Sequence, residues 1–275
     1  MPELPELEAL RQRLGPRLEG RMVTAAEVNP RHGHLLRHPQ QTFVEELAVR
    51  RFDRVWRRGK HLVFDLSLAG GADVRHLVIN PMLGGRFQVA GDDAAPPQTW
   101  VFRLRLDSRE EFRYLDLRDM GRIYLVQDLE GEVPAWAGQG PEADEVAELG
   151  LDAFRRRLRR YRDEVKDLLR NQAFLSGIGN AYSDEILFEA ELLPLRRRAS
   201  LKPEDEERLF EAIPVVLERS IEAILANPAY QESKQDRSFM RVHGKEGTSC
   251  PRCGHRISRL GTKRESLSFC RGCQH

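Results

Sequence analysis

The sequence predicts an α+β fold of more than one domain: an N-terminal helix leading into a β-sandwich, then a domain of helices, then a β-hairpin bearing cysteines. Three observations predict it. Short alternating segments crowd residues 62–126, apolar residues recur at helical spacing from 146 to 225, and all four cysteines fall in the last 26 residues. At 275 residues with 40% apolar content, the chain can bury two modest cores beside that hairpin.

Pro5 opens a helix running to about Leu18, with Leu7, Leu10, Leu14 and Leu18 on one face; a proline in the first turn sacrifices an N–H that had no partner anyway. Gly20 ends it. The alternating segments Leu62–Leu66, His76–Ile79, Arg86–Val89, Trp100–Leu106 and Arg122–Val126, separated by Gly, Pro and Asp turns, read as the strands of the sandwich. Two prolines and three glycines between Glu130 and Ala143 mark a linker. Beyond it, 146 to 225 reads as almost all helical, broken at Ser176-Gly-Ile-Gly-Asn180. The expected division is 1–130, linker 131–145, 146–233 and 234–275. No apolar run is long enough to cross a membrane, and charges stand where a signal peptide needs apolar residues, so a soluble, cytoplasmic protein is expected.

Cys250-Pro-Arg-Cys253, sixteen residues and Cys270-Arg-Gly-Cys273 form two knuckles suited to one tetrahedral zinc. Four thiolates leave no open position, so such a zinc is structural. A disulfide or free thiols are the alternative. From Lys234 to His275 there are ten Lys/Arg against three Asp/Glu, while the whole chain carries only +1. That local excess is the electrostatic footprint of a polyanion partner, or else a solvated surface.

The chain begins Met1-Pro-Glu-Leu-Pro-Glu. Removal of Met1, which a small second residue permits, would leave Pro2 as a secondary amine with a pKa near ~8, a usable nucleophile at neutral pH. Attack on a sugar C1′ by such an amine gives an iminium ion with no N–H to lose, which acidifies the neighbouring carbon and allows elimination. Glu3 could protonate the ring oxygen. The alternative is plain helix grammar, with proline in a first turn and glutamate at the positive end of the dipole.

The Pro-Glu-Leu-Pro-Glu start, Arg-Arg-Gly-Lys60 before a strand, Asn171-Gln…Gly177-Ile-Gly-Asn180-Ala-Tyr-Ser-Asp-Glu185 and the terminal four-cysteine finger together resemble the formamidopyrimidine-DNA glycosylase and endonuclease VIII family over essentially the whole chain. The resemblance implies a helix-two-turn-helix domain over 146–233 and a zinc finger over 234–275. It implies a bifunctional glycosylase and abasic-site lyase of base excision repair, a monomer at the nucleoid, acting on duplex DNA that carries an oxidised base, purines first, or an abasic site. Pro2 maps to the nucleophile, Glu3 to its partner acid, and Lys60 and Arg264 to phosphate contacts that assist elimination. Gly179 and Asn180 map to a phosphate-binding helix start. Met82, Arg118 and Met120 map to the side chains that fill the stack after a nucleotide is flipped out. Glu265 occupies the family's usual arginine position, with Arg264 one place earlier. Alternatives are a weakly catalytic or non-catalytic damage-binding protein of this fold, an oxidised-pyrimidine enzyme of the endonuclease VIII type, and a module that binds RNA.

Overall fold

The computed structural model describes residues 1–71, 73–227, 236–261 and 266–275. The chain divides into two compact units. Among the described residues the first comprises Met1–Pro2 and Glu6–Ala137, and the second Glu3–Pro5, Gly138–Asn227 and everything from 236 onward.

The first unit contains α1 (Leu4–Leu18) from its third residue onward, β1 (Val23–Val28), α2 (Gln40–Leu47), β2 (Arg51–Arg58), β3 (His61–Ser67), β4 (Arg75–Asn80), β5 (Gly85–Gly91), β6 (Trp100–Leu106), β7 (Glu110–Asp116), β8 (Arg122–Val126) and α3 (Leu129–Glu132). Two antiparallel four-stranded sheets form, ordered β2-β3-β4-β8 and β1-β6-β7-β5. Their inner faces share one core that includes Phe52, Phe64, Phe87, Phe102, Phe112 and Tyr114, all buried. The rings meet at angles, as Phe64 and Phe112 do at 5.0 Å between centroids.

Three strands escaped the sequence reading. β2, Arg-Phe-Asp-Arg-Val-Trp-Arg-Arg, hides its two core residues, Phe52 and Val55, among five charges, and a register shift between Phe52 and Arg54 breaks the alternation. β7 buries both faces: Phe112 and Tyr114 point to the core while Glu111 and Arg113, bonded at 2.8 Å, are buried as a pair. β1 carries only Ala, Glu and Thr between its two valines. The Pro- and Gly-bearing stretch after β8 is also more than a tether. Leu129, Val133 and Trp136 cover Trp56, Val63, Val78 and Tyr124 on the outer face of one sheet, with Trp136 edge-on to Trp56 at 5.9 Å.

Register decides which loops meet. Asn80 pairs with Arg122 across β4 and β8, and Gly85 pairs with Asp116 across β5 and β7. The turn 81–84 and the loop 117–121 therefore leave the sandwich side by side.

The second unit contains α4 (Val146–Leu149), α5 (Leu151–Leu158), α6 (Val165–Arg170), α7 (Asn180–Glu189), α8 (Pro203–Leu225), β9 (Ile257–Leu260) and β10 (Leu267–Cys270). The helical stretch is more broken than its apolar spacing suggests. Gly150, at φ 77°, divides α4 from α5, connections outside the α-helices occupy 159–164 and 190–202, the latter with a 3-10 turn at Arg198–Ser200, and the break expected at 176–180 spans 171–179. Pro194 and the left-handed Glu191, at φ 60°, stop α7 from continuing, and Pro203 opens α8. Phe154, Leu169, Phe174, Tyr182, Ile186, Leu209 and Ile213 make the core. β9 and β10 pair as the expected hairpin, Leu260 opposite Leu267 and Ile257 opposite Cys270. Among the described residues no helix is long and apolar enough to cross a membrane.

Candidate catalytic residues and nucleic-acid interface

In the second unit a helix start is closed by a side chain from the far end of the sequence. Gly179 precedes α7 in extended conformation, and no side chain of the helix itself caps its free N–H groups. Glu3 does so instead. One carboxylate oxygen accepts from Gly179 N at 2.6 Å and Tyr182 N at 3.3 Å, the other from Ala181 N at 3.0 Å. Glu3 is only 3% exposed, and a helix N-terminus holds a carboxylate by its negative charge. A Cβ on Gly179 would lie 2.5 Å from the Glu3 carboxyl carbon, so the glycine is what lets the acid approach. Leu4 N donates to Gly177 O at 3.0 Å and fixes the chain on the C-terminal side of Glu3. Pro2 is buried, in the first unit.

Asn180 is the first residue of α7. Its Nδ2 donates to the carbonyl of Ser266 at 3.2 Å, while its Oδ1 is buried and accepts no hydrogen bond among the described residues. The same carbonyl accepts from Lys166 Nζ at 3.3 Å. Lys166, 1% exposed, also bonds Asp184, whose other oxygen meets His243 Nδ1 at 2.8 Å. Burial pushes the Lys166 ammonium below its ordinary pKa, and Asp184 opposes that shift. The sequence reading missed this lysine, although its signal was present. Lys166 interrupts the buried face Val165, Leu168 and Leu169, and Asp184 and Glu185 sit inside a fully buried run of α7. Glu185 accepts from the N–H groups of Arg241, Val242 and His243 at 2.8–2.9 Å and so anchors the approach to the hairpin. Arg264 and Glu265, two places and one before Ser266, lie outside the described residues.

In the first unit Lys60 occupies the turn between β2 and β3, half-buried. His61 Nε2, next in sequence, lies 3.5 Å from Asn80 Nδ2, and Asn80 Oδ1 accepts from Met82 N at 3.1 Å. Met82 itself is half-buried at φ 44°. Across from it, Asp116, 1% exposed, organises the loop that carries Arg118 and Met120. Its carboxylate accepts from Arg118 N at 2.9 Å, Met120 N at 3.2 Å and Gly121 N at 2.7 Å. Leu117 N donates to Gly84 O at 3.3 Å and staples the two loops together, and His32 Nδ1 lies 2.5 Å from Asp119 Oδ1 on the far side. Arg118 and Met120 are exposed at the loop surface. Asp116 has no visible signal in the sequence, because its partners are main-chain groups that no side-chain pattern reveals.

The four cysteine sulfurs lie within 4.8 Å of one another, with Cys250–Cys273 at 3.8 Å and Cys253–Cys270 at 3.5 Å. A tetrahedron with metal–sulfur bonds of ~2.3 Å has edges of about 3.8 Å, so the cluster has the dimensions of a closed thiolate site. Burial pushes the Cys250 thiol up, but hydrogen bonds from the backbone N–H groups of Arg252 and Cys253 and from the Cys270 and Cys253 thiols together outweigh it and bring it down to about 7. The cluster is therefore positioned to bind a metal ion.

Residues 1–123 match the formamidopyrimidine-DNA glycosylase N-terminal domain, and residues 139–227 match the formamidopyrimidine-DNA glycosylase H2TH domain. Along its whole length the chain is 35% identical to the formamidopyrimidine-DNA glycosylase of Herpetosiphon aurantiacus, all of which is covered. It is 36% identical to that of Thermomicrobium roseum, with 100% of this chain and 99% of the relative aligned. The fold is similar to that of the Lactococcus lactis enzyme in complex with DNA containing FAPY-dG, at TM-score 0.87 and 25% identity, covering 99% of this chain and all of the other.

Proposed function

Because the chain belongs to the formamidopyrimidine-DNA glycosylase family, we infer that it is a DNA glycosylase and abasic-site lyase of base excision repair, acting on damaged bases in double-stranded DNA. The observation that carries the chemistry is the buried carboxylate of Glu3, held by three N–H groups at the start of α7 and joined through one peptide bond to Pro2. Oxidised purines are the proposed substrates, in keeping with the FAPY-dG bound to the Lactococcus lactis relative. An oxidised-pyrimidine DNA bound to that same relative is the specific reason to test pyrimidine lesions beside them.

With Met1 removed, the Pro2 nitrogen attacks C1′ as the glycosidic bond to the base breaks, and the departing base takes up a proton. The proton that the Pro2 nitrogen sheds on bonding to C1′ passes to the Glu3 carboxylate, which delivers it to the ring oxygen, so the sugar opens and proline and C1′ are joined as an iminium ion. That ion withdraws electrons from the C1′–C2′ bond, so loss of a C2′ proton expels the 3′ phosphate. Lys60 and Arg264 supply positive charge to the phosphates during this step, and Asn180, at a helix start, presents an amide to a phosphate oxygen. Cys250, Cys253, Cys270 and Cys273 hold one structural zinc that keeps the basic hairpin folded. The proposed working form is a monomer in the cytoplasm, at the nucleoid, with a sandwich domain to about residue 130, a helix-two-turn-helix domain over 146–233 and a zinc finger over 234–275.

The testing experiment is borohydride trapping on a duplex with one abasic site, beside an intact mass that establishes loss of Met1. The processed protein is expected to crosslink, Pro2→Gly to reduce the yield, and chemical blocking of the N-terminus to abolish it. Unchanged trapping after blocking would place the nucleophile on a lysine. Tight binding of the lesion duplex by processed protein, with neither trapping nor cleavage, would favour a damage-binding protein of the same fold.

A further inference from the structure

The break before α7 is held from within by a side chain that the chemistry so far leaves unused. Gln172 folds back into the turn that follows it. Its Nε2 donates to the carbonyls of Arg170 and Ile178, both at 2.8 Å, and its Oε1 accepts from Gly177 N at 3.0 Å. A primary amide offers two N–H donors and one carbonyl oxygen, and all three are engaged here. Reversing the amide would set its oxygen against two carbonyls and its NH₂ against an N–H, so the turn admits one orientation only.

The bond to Ile178 bears directly on Glu3. The Ile178 carbonyl and the Gly179 N–H belong to one planar trans peptide and point in opposite directions. Gln172 grips the oxygen end at 2.8 Å, and the nitrogen end donates to the Glu3 carboxylate at 2.6 Å, the shortest of its three bonds from the α7 start. Side-chain amide, peptide and carboxylate thus form one hydrogen-bonded chain in which each link polarises the next. The glycine that follows this peptide gives it freedom to rotate once the grip is lost, and a rotated peptide would turn a carbonyl oxygen toward the carboxylate. The peptide that supplies Ala181 N is secured differently: its carbonyl, that of Asn180, accepts within α7 itself, from Ser183 Oγ at 3.0 Å.

We propose that Gln172 is a positioning residue for base excision: it fixes the 178–179 peptide so that the Gly179 N–H holds the Glu3 carboxylate where it handles the proton. The proposal rests on the reading of the chain as a glycosylase that uses Glu3. Gln172 needs no contact with sugar or base, since its whole action passes through one peptide group.

The test uses full-length processed protein and three readouts. These are single-turnover excision from a duplex with one 8-oxoguanine, affinity for a duplex with a tetrahydrofuran abasic analogue, and amide hydrogen exchange at Gly179 and Ala181 followed by NMR, which needs no chemistry. Gln172→Met keeps the length and removes all three bonds, while Gln172→Glu keeps the acceptor for Gly177 N and loses the donors. In both, Gly179 should exchange about tenfold faster while Ala181 changes by less than about threefold. Excision should slow about 10- to 100-fold with affinity within about threefold of the parent. Equal acceleration at Gly179 and Ala181 would show a fraying helix start and overturn the proposal, as would a matching loss of affinity, or slower excision without faster Gly179 exchange, or the reverse. Should neither variant fold, Glu3→Ala decides from the other end, because coupling between two sites is reciprocal. The Gln172 side-chain amide protons should then exchange about tenfold faster than in the parent, and an unchanged rate would overturn the proposal. A parent that neither excises nor traps would refute the glycosylase reading instead, while the exchange arm still judges whether Gln172 sets the Gly179 N–H.

Discussion

Two buried carboxylates in different units of this protein solve the same problem in the same way. Glu3 and Asp116 are each almost fully shielded, and each accepts from three main-chain N–H groups. Their settings differ. Asp116 gathers donors two, four and five residues ahead and has the Tyr114 hydroxyl 3.5 Å away, so it is a local loop organiser. Glu3 gathers donors 176 to 179 residues away, at the start of a ten-residue helix, and adjoins the candidate nucleophile. Distance alone does not separate them, since Glu185 also gathers three distant N–H groups as an anchor; adjacency to Pro2 is what sets Glu3 apart. The proposed division is chemistry for the glutamate and scaffolding for the aspartate, and each substitution below either separates or merges those roles.

The largest effect is expected from Glu3→Gln. The amide keeps the shape and one acceptor oxygen but cannot protonate the sugar, so single-turnover base excision should fall by about 10²–10⁴-fold. Loss of an acceptor for main-chain N–H groups should also cost roughly 1–3 kcal/mol in stability, measured by urea denaturation. Excision within a factor of two of the parent would reduce Glu3 to a helix cap.

The sequence made the ends of this comparison unequally visible. The N-terminal motif marked Pro2 and Glu3, the glycines before Asn180 marked a helix start, and the cysteine spacing marked the metal cluster, because each is a local pattern with a local chemical meaning. What it could not reveal was pairing at a distance: that Glu3 caps α7, or that Lys166 is buried against Asp184 beneath Asn180. Strand alternation identified the sandwich but missed β2 and β7, where charged residues are bulged or buried in pairs.

Lys166→Met should have the next largest effect, and it tests how far the glutamate's surroundings are built for stability alone. Removing the cation leaves Asp184 buried with His243 as its remaining side-chain partner. Breaking a buried pair in this way typically costs about 3–5 kcal/mol. The hairpin carbonyl of Ser266 also loses one of its two donors, so zinc retention during dialysis against a chelator should fall. A loss under about 1 kcal/mol would mean that water already satisfies Asp184.

Asp116→Asn and Gly84→Ala probe the scaffold side. The asparagine turns an N–H₂ toward main-chain N–H groups, and the alanine pushes a Cβ into the backbone of Arg118, which cannot swing away. Each should destabilise by roughly 1–3 kcal/mol, read from the urea midpoint. Cleavage of a pre-formed abasic site, which needs no base extrusion, should be spared. Should Asp116→Asn lose abasic-site cleavage as well, the aspartate would act in the chemistry beside Glu3 and the two carboxylates would share one role.

Gly179→Ala should be the mildest change to stability and the sharpest test of placement. Its backbone lies at φ −131°, which alanine adopts without strain, and the three atoms nearest the added Cβ all belong to the Glu3 carboxylate, at 2.5–2.8 Å. That group is the far end of a side chain and can swing aside, so the fold should lose less than about 1 kcal/mol. The carboxylate, however, would move by about an ångström, and a displacement of that size can cost about 10²-fold in rate. Affinity for a lesion duplex should hold while the single-turnover excision rate drops, a split that a purely structural glycine would not give. Equal loss of affinity and rate would instead show that the alanine disturbs the proposed phosphate-binding start of α7 itself, and Glu3 would then owe its importance to the helix it caps.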